Sequence, residues 1–127
     1  EQSKKVSGLE SVNEQFSAID KIPLNIQAEM LVKSLDDAGP DYDKMVNAYT
    51  KQDLNALNKF INDDSELGTN NFMDPLLKDR NERWIDRIAK MSSRQSTFFA
   101  VGAGHLPGKD GVIQLLRKQG YTVTPVK

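Results

Sequence analysis

The only histidine of this 127-residue chain, His105, lies in Val101-Gly102-Ala103-Gly104-His105-Leu106-Pro107-Gly108. Gly102 and Gly104 let the backbone turn tightly and approach a ligand. An imidazole held there can bind a metal, act as a general base or hydrogen-bond a substrate. The same pattern also suits a tight turn that carries a surface histidine. Gly102-x-Gly104-x-x-x-Gly108 resembles a loosened dinucleotide fingerprint. Pro107 and the Gly108-Lys109-Asp110-Gly111 segment delay the following helix, however, and the next extended stretch, Tyr121 to Val126, carries no acid. Both features count against a nucleotide.

Two further groups could act with His105. Glu10, in Gly8-Leu9-Glu10-Ser11, follows an apolar stretch. It reads either as a functional carboxylate or as a solvated one near a helix N-terminus, which the helix dipole favours. Arg80 and Asn81 flank an apolar stripe of Leu77, Trp84, Ile88 and Met91, whereas Glu82, Arg83 and Asp86 point away. An arginine beside the only tryptophan is costly on such a face unless it is paired. Either its stem packs and its head snorkels to water, or it meets a carboxylate or an anion. Glu10 is the first partner to test.

Composition bounds what these residues could do. The chain has no cysteine, which excludes disulfides, thiolate zinc sites and cysteine nucleophiles. One histidine excludes a site built from several histidines of one copy. Seventeen basic and eighteen acidic residues leave a net charge of −1, so no global field recruits nucleic acid or an anionic membrane. No serine stands in a nucleophile-elbow setting. No apolar run is long enough to span a bilayer, and none reads as a signal peptide. The chain opens at Glu1, which is a natural, engineered or proteolytic start.

The elements that must position the chemistry read as follows. Lys4–Leu9 predicts a short strand and Ser11–Ile19 a short helix. Pro23 suits a first helical position, and Leu24, Ala28, Leu31 and Leu35 follow at helical spacing until Asp37-Ala38-Gly39-Pro40 stops them. Tyr42 to Tyr49 and Leu54 to Ile61 predict two more helices, with Asp53 near the start of the second. Asn62–Asn71 reads as a loop and Asp74–Met91 as a longer helix. Thr97–Gly102 is the best strand. Gly111–Lys118 is a helix with Asp110 as N-cap and Gly120 as stop, and Tyr121–Val126 is a last strand. The expected fold is α/β but α-rich: a small sheet of about three strands packed by several helices, ending in a βαβ unit. Tyr42, Tyr49, Phe60 and Phe72 are expected in the core or its shell.

With these residues in place the chain resembles the TraB/PrgY/GumN family, which is related to the Tiki proteases. The resemblance rests on Gly8-Leu9-Glu10-Ser11 with Gln15, on Gln27, on Arg80-Asn81-x-x-Trp84, and on Val101 to Gly108 with the residues that follow up to Val126. It implies a metal-dependent hydrolase, most simply a peptidase, with a divalent metal ion as cofactor. Gly102-Ala103-Gly104-His105 matches the second of the two Gly-x-x-His motifs of Tiki-type members. Glu10 matches the family's glutamate, and Arg80-Asn81 its Arg-Asn pair. The implied roles are His105 and Glu10 as metal ligands or catalytic groups, Arg80 as a catalytic residue that orients Glu10 or binds a substrate carboxylate, and Asn81, Gly102 and Gly104 at the substrate.

The first Gly-x-x-His motif has no counterpart here. Residues 1–127 are therefore expected to be the C-terminal portion of a larger domain, inactive without the N-terminal half. The implied partners are a peptide or small-molecule substrate and either that missing half or a second copy in a homodimer, without nucleic acid or membrane insertion. The implied setting is extracytoplasmic: secreted, periplasmic or lipoprotein. A binding module for a peptide or small ligand, without turnover, is the alternative, and a structural fragment that dimerises is a third reading.

Overall fold

The computed structural model describes residues 4–36, 40–63 and 74–126. Among them the chain forms six α-helices and one 3-10 turn. These are α1 (Val12–Asp20), α2 (Leu24–Asp36), α3 (Pro40–Thr50), α4 (Leu54–Asp63), α5 (Lys78–Ser92), the 3-10 turn Ala103–His105 and α6 (Val112–Lys118).

Local chemistry sets most of the helix ends. Ser11 caps α1 reciprocally: its Oγ accepts from the Glu14 backbone N–H at 3.2 Å, and Glu14 accepts from the Ser11 N–H at 2.7 Å. Asp53 starts α4, its carboxylate accepting from the Asn55 and Ala56 N–H groups at 3.1 and 3.0 Å. Pro40, expected to stop α2, instead opens α3, where its missing N–H costs nothing. Asp37, Ala38 and Gly39 lie outside the described residues, as do Phe72 and most of the expected loop from 62 to 71. Asp110 is not the N-cap of α6; Gly111 occupies that position, without a side-chain cap.

α6 ends as its sequence suggests. Gly120 takes φ +88°, its N–H donates to the Arg117 carbonyl at 3.0 Å, and the Tyr121 N–H reaches back to Leu116 at 3.1 Å. This is the paired-bond ending that a left-handed glycine permits.

The expected sheet is not there: the described residues contain no strand and no βαβ unit. Lys4–Leu9, Thr97–Gly102 and Tyr121–Val126 have no regular structure, and no backbone ladder joins them. A strand needs backbone N–H and C=O groups paired with a neighbour as well as alternating side chains. The alternation itself is real. Phe99 and Val101 pack on the core, while Phe98 is 92% exposed. The period-two pattern thus records a one-sided packing of a single irregular segment.

The core sits between α5 and α6. Trp84, Ile85, Ile88 and Val112 are buried together, with Leu9, Phe99, Val101, Leu115 and Leu116 packed around them. α3 packs on α4, and α4 touches the 3-10 turn. The apolar spacing of α2 does not make a core face, since Leu24, Leu31 and Leu35 are 81, 64 and 73% exposed. Tyr42 and Tyr49 are exposed as well. No helix among the described residues is long and apolar enough to cross a membrane.

Gly111 is the tightest point of the turn into α6. A Cβ there would lie 2.0 Å from the Pro107 carbonyl oxygen and 2.4 Å from that of Leu106. Backbone cannot withdraw as a flexible side chain can. Gly111→Ala is therefore expected to destabilise the chain by about 2–3 kcal/mol, read as a lower urea midpoint at unchanged slope.

Candidate functional site

One face of α5 assembles the polar residues. Arg80, Asn81, Trp84 and Arg87 follow at helical spacing and turn towards the segments before α1 and after residue 101. Arg80 and Arg87 meet residues 70 and 78 positions away in sequence, and Asn81 meets residues 24 and 29 positions away.

Glu10 is the partner of Arg80. The Arg80 Nε donates to both carboxylate oxygens at 3.1 and 3.2 Å, and Nη2 donates to Oε1 at 2.6 Å. Arg80 Nη1 is satisfied by the Leu76 carbonyl at 2.9 Å. The Trp84 indole N–H donates to Glu10 Oε2 at 3.2 Å. The guanidinium carbon lies 5.0 Å from the Trp84 ring centroid, close enough for a cation–π attraction. Both side chains of the pair are largely buried, at 15 and 11% exposure. Burial pushes the Glu10 carboxyl up, but the hydrogen bonds and charge of Arg80, helped by Trp84, outweigh it and hold Glu10 below the usual carboxylate range.

His105 also contacts Trp84. The two ring centroids are 4.5 Å apart, tilted by 43°. The imidazole is buried, and its Nδ1 lies 2.7 Å from Asn81 Oδ1. The Asn81 Nδ2 donates to the carbonyls of His105 and Asp110 at 3.3 and 2.8 Å. Burial, reinforced by the Arg80 charge and opposed by Glu10, pushes His105 down to about 4. The ring is therefore neutral at pH 7.

The structure thus gathers Glu10, Arg80, Asn81 and His105 around Trp84. Gly102 belongs to this cluster: its carbonyl accepts from the His105 N–H at 2.9 Å, and an added Cβ would sit 3.7 Å from the imidazole. Gly104 faces elsewhere: a Cβ added there would lie 3.3 Å from the Ile61 side chain of α4. Gln27 serves the α1–α2 junction, donating to the Ile22 carbonyl at 2.8 Å. Two members were not among the expected site residues. Trp84 joins the acid to the imidazole. Arg87 donates to the Leu9 carbonyl and to Glu14, so it pins the approach to Glu10. The Ser11-x-x-Glu14 capping signature and the seven-residue step from Arg80 to Arg87 are the signals that could have found the second.

The donor set does not by itself fit a catalytic metal. Such a metal takes about three protein ligands. Among the described residues no three His, Cys, Asp or Glu side chains come together. Both Glu10 oxygens already accept from Arg80 and Trp84.

Two outcomes follow. Arg80→Met strands a buried carboxylate and should cost at least about 2 kcal/mol. Adding Glu10→Gln should recover part of that loss in denaturant titrations, and a double mutant weaker than the single one contradicts the pairing. The second concerns pH. His105 titrates lower folded than unfolded, so the unfolded chain binds the extra proton. The stability that neutral His105 contributes is complete above pH 6.5 and lost as pH falls from 6.5 to about 4. A loss of about 2–3 kcal/mol across that window is expected, and His105→Asn should flatten it in urea midpoints taken at successive pH values.

Comparison with known proteins bears on the same residues. Metalloprotease TIKI2 of Xenopus tropicalis is 29% identical over 94% of this chain, a match that covers 29% of that protein. A Metalloprotease TIKI homolog of Amphimedon queenslandica is 30% identical over 66% of the chain and 15% of its own length. Metalloprotease TIKI2 of Danio rerio is 45% identical over 38% of the chain and 10% of its own. The chain therefore spans less than a third of the length of these relatives. No solved structure matches it significantly. The family profile described as TraB/PrgY/gumN matches residues 1–125, and the chain belongs to the TraB/PrgY/gumN family.

Proposed function

We propose that this chain forms part of a hydrolase that cleaves peptide bonds in the manner its Tiki relatives' name indicates. The observation that carries the reading is the single cluster in which Glu10, Arg80, Asn81 and His105 converge on Trp84. The family match and the metalloprotease relatives support it.

The residues divide the work as follows. A histidine that titrates near 4 is a weak base at neutral pH. Its use is therefore as a neutral nitrogen donor, through Nε2. A metal at the site would need donors beyond the described residues. Arg80, held against Glu10, fixes the charged wall of the site and orients a substrate carboxylate or carbonyl. Asn81 and Gly102 hold the loop that carries His105. The setting is extracytoplasmic, where a peptide substrate would be met.

One observation favours a second reading. Both oxygens of Glu10 are occupied by Arg80 and Trp84, so the carboxylate is not free to act as a base. A site that binds a peptide without turning it over needs no free base.

Cleavage of a fluorogenic peptide library by the full-length protein that carries this chain, with and without added divalent metal, tests the first reading. Metal-dependent cleavage is expected, falling by at least about 10²-fold in His105→Ala. Cleavage that survives this change unaltered overturns the role of His105. Saturable peptide binding in calorimetry, with no cleavage and no metal dependence, supports the second reading instead.

A further inference from the structure

We infer that Asn81 is the positioning residue that fixes the tautomer of His105, with the proton on Nδ1 and the lone pair on Nε2. The Nδ2 of the Asn81 carboxamide lies 3.3 Å from the His105 carbonyl oxygen and 2.8 Å from that of Asp110. Two carbonyls accept only, so the group facing them must be the NH2 end. Turned about, Oδ1 would confront two oxygens in a site where Asn81 is 2% exposed. Buried acceptors so opposed are not tolerated. The other end of the carboxamide, Oδ1, therefore faces the ring, 2.7 Å from Nδ1. An amide oxygen cannot donate, so the proton of that short bond belongs to Nδ1.

The consequence falls on Nε2. Free histidine in water prefers its proton on Nε2. Asn81 reverses that preference and leaves Nε2 as an unprotonated donor. No hydrogen bond among the described residues uses Nε2. This is the arrangement in which the second ring nitrogen sets the orientation and basicity of a donating imidazole. The two carbonyls that fix Asn81 lie on either side of the turn 105–110, so the loop geometry and the ring chemistry are set by one side chain.

The inference deepens the reading of His105 as the donor of the site, but its test observes the ring and not turnover, so the two can fail separately. The chain has a single histidine. A 15N-histidine-labelled sample at pH 7.5 therefore gives one imidazole in long-range 1H–15N spectra. The expected result is a protonated Nδ1 shift and an unprotonated Nε2 shift. A protonated Nε2 with a bare Nδ1, or an averaged pair, overturns the assignment.

Asn81→Leu, if its circular dichroism is native, should shift the ring towards the Nε2-protonated form. A ring that keeps Nδ1–H in that variant removes Asn81 from the role. If Asn81→Leu does not fold, the scalar coupling across the hydrogen bond, from His105 Nδ1 to the side-chain carbonyl carbon of Asn81 in 13C,15N-labelled wild-type chain, decides instead. Its presence is expected, and its absence overturns the proposal.

Discussion

The described structure depends on the ability of one face of α5 to hold charge out of water. Arg80 and Glu10 give up most of their hydration, a cost of several kcal/mol per ion. That cost is offset by the partners the two side chains find. Arg80 directs Nε and Nη2 to Glu10 and Nη1 to the Leu76 carbonyl, and Glu10 takes a further hydrogen bond from Trp84. These bonds tie the segment before α1 to α5 without a paired strand. Arg87 repeats the device two turns further along, on the Leu9 carbonyl and Glu14. The apolar core of Trp84, Ile85, Ile88 and Val112 supplies the area, while the two arginines determine where the N-terminal segment lies on it.

The opposite segment is held by a neutral device. Asn81 bridges two carbonyls of the loop into α6 and receives the imidazole on its remaining oxygen. Adjacent positions on α5, Arg80 and Asn81, thus anchor the two halves of the site by different means. The charged anchor raises the energetic penalty for losing a partner, and the amide anchor sets direction. Trp84, one turn on, touches both Glu10 and His105. Burial and the Arg80 charge together keep His105 neutral, and the same arginine outweighs burial at Glu10 and keeps that acid ionised.

Much of this was legible because it rests on local rules. Helical spacing located all six helices to within a few residues, and Gly120 announced the end of α6. The pairing of Arg80 was suggested by the cost of a lone arginine beside Trp84. What escaped depends on partners that periodicity does not encode. α3 ends with the same paired backbone bonds as α6, yet its left-handed residue is Gln52 at φ 57°, a type that gives no warning. The alternation of Phe98 to Val101 reports a packed face and not a ladder. The spacing of Leu24, Leu31 and Leu35 reports a helix and not its burial. The roles of the indole N–H and of Gly111 follow from approach distances that no spacing reveals.

The contact between Trp84 and His105 has an optical consequence. The chain carries a single tryptophan, and it lies 4.5 Å from the single imidazole and under the guanidinium of Arg80. Imidazolium quenches indole emission more than neutral imidazole does, and a nearby charge moves its wavelength. The intrinsic fluorescence of the molecule is therefore a local signal from the site, free of background from any other indole. Whatever binds at His105 or disturbs the Arg80–Glu10 pair alters the surroundings of the one indole that contacts both, so occupancy can be followed without a label.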